Sequence, residues 1–317
     1  MSTSTKSETS VPQPAPARRR SFARFAQAGA PYFFVAPSVL VLLCLLGIPI
    51  ILVVTYSLIE RAVTNPDFTF VGVDNYLAVL TDPRFHEALL HTAVFTIGSV
   101  VAHLILGLAF ALILNSRYIR PVLRTLLRAL FIVPWLFTIA ATAVLWRLIL
   151  QPNGVLNQVL SAIGIPAEGT EWLADMQLAM PTLIAVNIWA GYPLFMISLL
   201  AGLQSISPEL YEAASIDRAG KISQFFNVTV PQLWPTIISL ALLDAIWTSQ
   251  QFPLVWLLTG GGPVTATEVV PTYIYKTAFS RYEFAEASAA AVVILLISLV
   301  LVALYVRKIN RMNREVA

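Results

Sequence analysis

Cysteine is nearly absent from this 317-residue sequence: Cys44 stands alone. A single thiol cannot close an internal disulfide, and it excludes a cysteine-rich zinc or iron–sulfur site. It lies in an apolar run, where an inert buried thiol is the expected role. Charge is scarce too. Asp, Glu, Lys and Arg make up 12% of the chain and hydrophobic residues 57%, whereas soluble proteins carry roughly a quarter charged residues. The three histidines, His86, His91 and His103, are scattered. His91 and His103 are too far apart along one helix to share a metal, and each reads as a core histidine bonded to a neighbouring carbonyl. Also missing are a glycine-rich phosphate loop ending in Lys-Ser/Thr, an HExxH and a GxSxG. The chain therefore brings no hydrolytic or redox machinery: no catalytic residue, no metal site and no cofactor is assigned to it.

What the sequence does have is long stretches free of charge: 25–59, 88–116, 129–146, 176–208, 245–267 and 287–306. A membrane span needs about 20 apolar residues. The pattern predicts an all-α membrane protein with six spans near 33–58, 88–114, 129–150, 180–203, 234–258 and 287–306. Pro37, Pro49, Pro134, Pro193 and Pro253 fall inside them. Such prolines are tolerated where neighbouring helices or a wet cavity satisfy the freed carbonyls, which implies a packed bundle with a path through it. Residues 1–30 are rich in Ser, Thr, Pro and Ala and end in Arg18, Arg19, Arg20 and Arg24; this composition predicts a disordered basic tail. Residues 311–317 form a second, short tail.

Orientation follows from Lys and Arg. With both termini in the cytoplasm, only Arg61, Arg84, Arg147, Lys276 and Arg281 of the 20 basic residues lie outside. The outer segment 151–179 holds Glu168, Glu171 and Asp175 and no base. A chain of this kind belongs in a membrane, where its work is transport and nucleic acid is no partner.

The inner segment between spans four and five, 207–231, reads as ordered. Ser207 suits an N-cap, Pro208 the first helical position, and Glu209 faces the helix dipole favourably. A short helix is expected to turn near Arg218-Ala219-Gly220, and a second to run through Gln224-Phe225-Phe226 until Pro231. Such a segment either docks onto a partner or lies amphipathically on the membrane surface.

Glu212-Ala213-Ala214 followed by Val228-Thr229-Val230-Pro231 resembles the EAA loop of binding-protein-dependent ABC importer permeases. The resemblance implies a type I permease core whose short helix seats in a cleft of an ATPase subunit, with Glu212, Ala213, Ala214, Asp217, Arg218 and Gly220 as the coupling residues. That family usually carries glycine where Arg218 stands, so Gly220 is expected to supply the turn. Phe70-Val71-Gly72-Val73-Asp74-Asn75-Tyr76, Leu130-Phe131-Ile132-Val133-Pro134-Trp135 and Leu258-Thr259-Gly260-Gly261-Gly262-Pro263 are similar to the carbohydrate branch, and the last to its first permease subunit (the larger maltose, lactose and glycerol-3-phosphate type). The implied partners are a second homologous permease, two ATPase subunits that hold ATP and Mg, an extracytoplasmic solute-binding protein and the lipid bilayer.

The same resemblance implies a substrate path. Asn187-Ile188-Trp189-Ala190-Gly191-Tyr192-Pro193 is similar to the sugar-contacting span of the larger maltose permease, with Leu194 where that family has a contacting Tyr. Asn187 and Gly191 share a helix face at i and i+4; Gly would let a sugar approach, and Asn would bond its hydroxyls. Asp244, Trp247, Thr248 and Gln251 form one stripe of span five, and Phe131 and Trp135 of the third span complete the set. The alternative for these polar groups is adhesion between helices. At the level of function, glycerol 3-phosphate or a glycerophosphodiester is the runner-up substrate, disfavoured because only Arg147 lies near the path. An ion-coupled secondary transporter is the reading from another class, and a membrane-embedded enzyme the weakest.

Overall fold

The computed structural model describes residues 35–60, 63, 69–116 and 118–316; the basic tail expected over 1–30 lies outside them. In chain order the helices are α1 (Val35–Tyr56), α2 (Asp74–Thr81), α3 (Pro83–Asn115), α4 (Pro121–Leu136), α5 (Ile139–Ile149), α6 (Val155–Ala162), α7 (Ala179–Ser205), α8 (Pro208–Ile216), α9 (Lys221–Ser249), α10 (Pro253–Leu258), α11 (Val270–Phe279) and α12 (Phe284–Val316). Among the described residues there is no strand, only an isolated bridge between Ile59 and Phe70. Five helices, α1, α3, α7, α9 and α12, are each long and apolar enough to cross a membrane, and α4 with α5 makes a sixth if the bent pair is one span.

The described residues up to Leu52 form one compact unit and those from Val53 a second. In the first, α1 widens into a π turn over Leu43–Gly47 and buries none of those side chains. Cys44, expected to be buried, is exposed on it; a helix that meets lipid leaves apolar side chains outside the protein.

In the second unit, the spans expected at 88–114, 180–203 and 287–306 fall inside α3, α7 and α12, which all overrun them. A charge-free window marks where the chain meets lipid, and a helix continues into water as long as its backbone bonds do. Residues 311–316, expected as a tail, are the end of α12 for that reason. Two expected spans are corrected more deeply. The span at 129–150 is broken: α4 starts at Pro121, and α5 leaves it at 98°. Pro134 removes one backbone donor, Phe137 turns extended (ψ 138°), and the Thr138 side chain restarts the helix by accepting from the Ala141 nitrogen at 3.3 Å. The span at 234–258 is shifted. Pro231 does not end the preceding helix, because a π turn at Phe225–Thr229 absorbs it and α9 runs from Lys221 to Ser249. The break comes instead before Pro253, which opens α10.

The most extensive pairing is α3 against α7. The two backbones come close at Gly107, where a Cβ would collide with the Phe195 side chain and stand 2.9 Å from the Met196 nitrogen. One apolar layer gathers Phe95, Leu183, Val186 and Leu254; another gathers Leu114, Phe195, Leu199 and Leu233. A third cluster joins Phe85, Val270, Tyr273 and Ala289. There Tyr273 donates to Asp82 Oδ2 at 2.8 Å. Burial, and then that carboxylate, push the phenol's pKa up, so it remains a donor.

The turn after α8 corrects the expectation about Gly220. Ala219 N bonds Ala214 O at 2.9 Å and Arg218 N bonds Ser215 O at 3.0 Å, the paired bonds of a Schellman end. Its left-handed residue is Arg218 (φ 60°), while Gly220 is extended (φ −68°, ψ 167°) and caps α9. Ser207 stands at the N-cap of α8 but makes no capping bond through its side chain. A non-glycine residue in the left-handed region is strained by about 1–2 kcal/mol, part of which glycine gives back as unfolded-state entropy. Arg218→Gly is therefore expected to raise stability by about 0.5–1 kcal/mol. Gly220→Ser, with nothing within 4 Å of an added Cβ, should be neutral or stabilising; thermal unfolding midpoints check both.

Candidate functional site

Between the two apolar layers that flank α3 and α7 lies a polar one. His103 sits on α3 between Phe95 and Ala111, Asn187 and Gly191 on α7 between Val186 and Phe195, and Asp244 and Thr248 on α9 beyond Ile237. Polar side chains at that depth need partners or water, and here they line a cavity of about 410 Å³. Its remaining wall is the two helix breaks, Pro134, Trp135, Phe137 and Ile139 from the α4–α5 bend and Gln250 and Gln251 from the α9–α10 gap. Irregular backbone at membrane depth is tolerated where it lines such a space.

Of the residues the sequence assigns to the path, Asn187, Gly191, Leu194, Asp244, Trp247, Thr248, Gln251 and Trp135 line this cavity. Phe131 does not. It stacks on Phe110 with ring centroids 4.4 Å apart and packs against the lower core. Trp247 and Trp135 are 59% and 52% exposed, leaving two indole faces at the rim. Arg147 is exposed in the last turn of α5 and does not line the cavity.

Sequence reasoning missed the centre of the site. His103 is 1% exposed. Its Nδ1 lies 2.7 Å from Asp244 Oδ2 and its Nε2 3.0 Å from the Asn187 carbonyl oxygen. The other oxygen of Asp244 accepts from Thr248 Oγ1 at 3.2 Å. Both carboxylate oxygens are thus engaged by protein. Gly191 is also reinterpreted: the space its side chain would fill holds the His103 ring, and a Cβ there would collide with Nε2. Asn187 Nδ2 is buried and has no hydrogen-bond partner among the described residues. The one sequence signal for His103 was an ionisable residue in an apolar span. His91 is likewise bonded to a carbonyl, Glu268 O, at 3.2 Å.

The coupling residues named from the sequence sit together at α8 and its turn: Glu212, Ala213 and Ala214 on the helix, Asp217 at its C-cap, Arg218 in the left-handed position and Gly220 before α9. Three contacts tie α8 and its turn to α9. The hydroxyls of Tyr211 and Thr229 are 3.0 Å apart, and Gln224 Nε2 donates to Ser215 Oγ at 2.9 Å and to the Ala219 carbonyl at 3.1 Å. Under α8 a second cavity of about 830 Å³ is lined by Asn115, Gln204, Glu212 and Lys221, among others.

Comparison with known proteins agrees with this architecture. Residues 103–314 match the family described as binding-protein-dependent transport system inner membrane component. A probable ABC transporter permease of Bacillus subtilis, YurN, is 36% identical over 86% of this chain and 92% of its own length. The trehalose/maltose transport system permease protein MalF of Thermococcus litoralis is 32% identical over 92% of this chain and 97% of its own. In the crystal structure of a bacterial ABC transporter that imports the acidic polysaccharide alginate, one chain superimposes with a TM-score of 0.77 at 25% identity, covering 94% of this chain and all of that one. The bent span, the bundle and the matched residues agree: this chain belongs to the binding-protein-dependent ABC importer permeases, multi-pass transport components of the bacterial inner membrane rather than enzymes.

Proposed function

We propose that the chain forms half of the translocation path of an ATP-driven importer for an uncharged sugar or oligosaccharide. The observation that carries this reading is the lining of the 410 Å³ cavity. It offers indoles for stacking on sugar faces and amides and hydroxyls for sugar hydroxyls. Its two titratable groups, His103 and Asp244, face each other. A phosphate or acidic sugar calls for Arg or Lys, and this half of the path supplies none, which disfavours glycerol 3-phosphate. The partnerless amide of Asn187 is a donor awaiting an acceptor. Names of relatives support the class: one carries trehalose and maltose, although another structure imports an acidic polysaccharide.

In this reading both termini and α8 face the cytoplasm, following the basic residues. A second permease completes the path, two ATPase subunits hold ATP and Mg, and an extracytoplasmic binding protein delivers solute. The ties between α8 and α9 give the ATPases a mechanical handle. A displacement of α8 draws on the π turn of α9, and α9 carries Asp244, Trp247, Thr248 and Gln251.

The test is uptake into proteoliposomes holding the chain with its co-purified subunits. Maltose or trehalose is expected to move at least tenfold faster than glycerol 3-phosphate or an alginate oligosaccharide, and only with internal ATP. Faster movement of the anionic compounds refutes the uncharged substrate. Uptake driven by an ion gradient without ATP supports the secondary-transporter alternative.

A further inference from the structure

His103 joins three spans at one level. It stands on α3 and contacts α9 through Asp244 and α7 through the Asn187 carbonyl, while its ring lies 5.6 Å from that of Phe195. The Asn187 carbonyl can only accept, so Nε2 donates to it. Either both nitrogens donate, as an imidazolium to a carboxylate, or the proton of a neutral Asp244 is donated to the ring. In both arrangements the pair carries no net charge. The Asn187 carbonyl is also the acceptor position for Gly191 N in the regular i to i+4 pattern of α7, so the ring sits against helix backbone, in the space a side chain at 191 would take.

We propose that His103 is a positioning residue of the translocation path. It locks α3, α7 and α9 together at cavity depth and cancels the charge of Asp244, so that solute meets Thr248, Gln251 and Trp247 rather than a free carboxylate. The inference rests on the transport reading above and adds to it a residue that acts through others. A carboxylate left alone at this depth would draw in water and pull α9 away from its packing.

The experiment compares His103→Leu and His103→Leu/Asp244→Leu with the parent in the reconstituted complex. The probe is whichever of maltose and trehalose the parent moves faster. Two quantities are read: the unfolding midpoint, and the ATP hydrolysed per sugar moved, which is independent of how much protein assembles. His103→Leu is expected to lower the midpoint and raise the ATP ratio at least fivefold. The double variant, with no stranded charge, should regain the midpoint and keep the raised ratio, because the bridge is still missing. If the double variant regains both quantities, His103 is only a partner for a buried charge and the proposal falls. Should the parent move neither sugar with ATP, the transport reading fails, while the midpoints still decide the bridge: no drop in His103→Leu overturns it.

Discussion

Gly191→Ala is expected to lower stability by about 1–3 kcal/mol, the usual range for overpacking a filled interior, and to abolish uptake. The added Cβ would collide with His103 Nε2 and come within 3.1 Å of Cδ2. The ring cannot step back freely, since Asp244 holds Nδ1 at 2.7 Å and Phe195 stands beside it. Retreat of α7 would in turn open the contact at Gly107, where it lies against α3 at backbone distance. The collision should vanish when the ring does. In a His103→Ala background, Gly191→Ala should change stability by no more than about 0.5 kcal/mol, a non-additivity that a double-mutant cycle reads directly. If Gly191 instead exists to let a sugar approach, as its place on the path first suggested, the substitution should impair uptake equally whatever stands at 103. Unfolding midpoints and uptake of the four proteins in the cycle separate the two.

That reversal shows which part of the site was legible in the sequence. Asn187, Gly191, Asp244, Trp247, Thr248 and Gln251 could be placed on one path because the resemblance implies it, and helical spacing puts those of each span on a shared face. Their partners could not. Asp244 and His103 are 141 positions apart, and a histidine in an apolar span reads the same whether it meets a carbonyl or a carboxylate. Phe131 and Trp135 look equivalent at i and i+4. The α4–α5 bend, however, opens just past Trp135 and leaves Phe131 a turn lower, against Phe110. Helix ends were illegible for a related reason. Charge reports contact with lipid, whereas ends are set by backbone bonds, such as the Thr138 cap and the π turn that lets α9 pass Pro231. Arg218 is the sharpest case: the turn residue was sought at the nearest glycine, but the bonds from Ala219 to Ala214 and Arg218 to Ser215 fix the left-handed position by count from the helix end.

At the other end of the bundle, Ala213→Trp is expected to cut ATP-driven uptake to below a tenth of the parent while leaving the permease as stable as before. α8 presents Ile216, 83% exposed, and Leu210, 41% exposed, beside the small side chains of Ala213 and Ala214. Ala213 and Glu212 are exposed, so substitution there touches little of this chain and should shift its stability by no more than about 0.5 kcal/mol. A small-residue helix face flanked by exposed apolar side chains fits a partner's cleft, and an indole at its centre would hold the two apart. Glu212→Lys should act similarly by reversing a charge at the same face. Both variants should still assemble in the membrane and keep the Tyr211–Thr229 tie, which faces the other way, towards α9. The measurements are sugar-stimulated ATP hydrolysis and uptake in membrane vesicles, alongside the unfolding midpoint of the purified permease. A helix that merely lies on the membrane surface would take tryptophan without loss, since indoles favour that interface. Full coupling in Ala213→Trp would therefore remove α8 from the ATPase interface and leave its ties to α9 without a force to transmit.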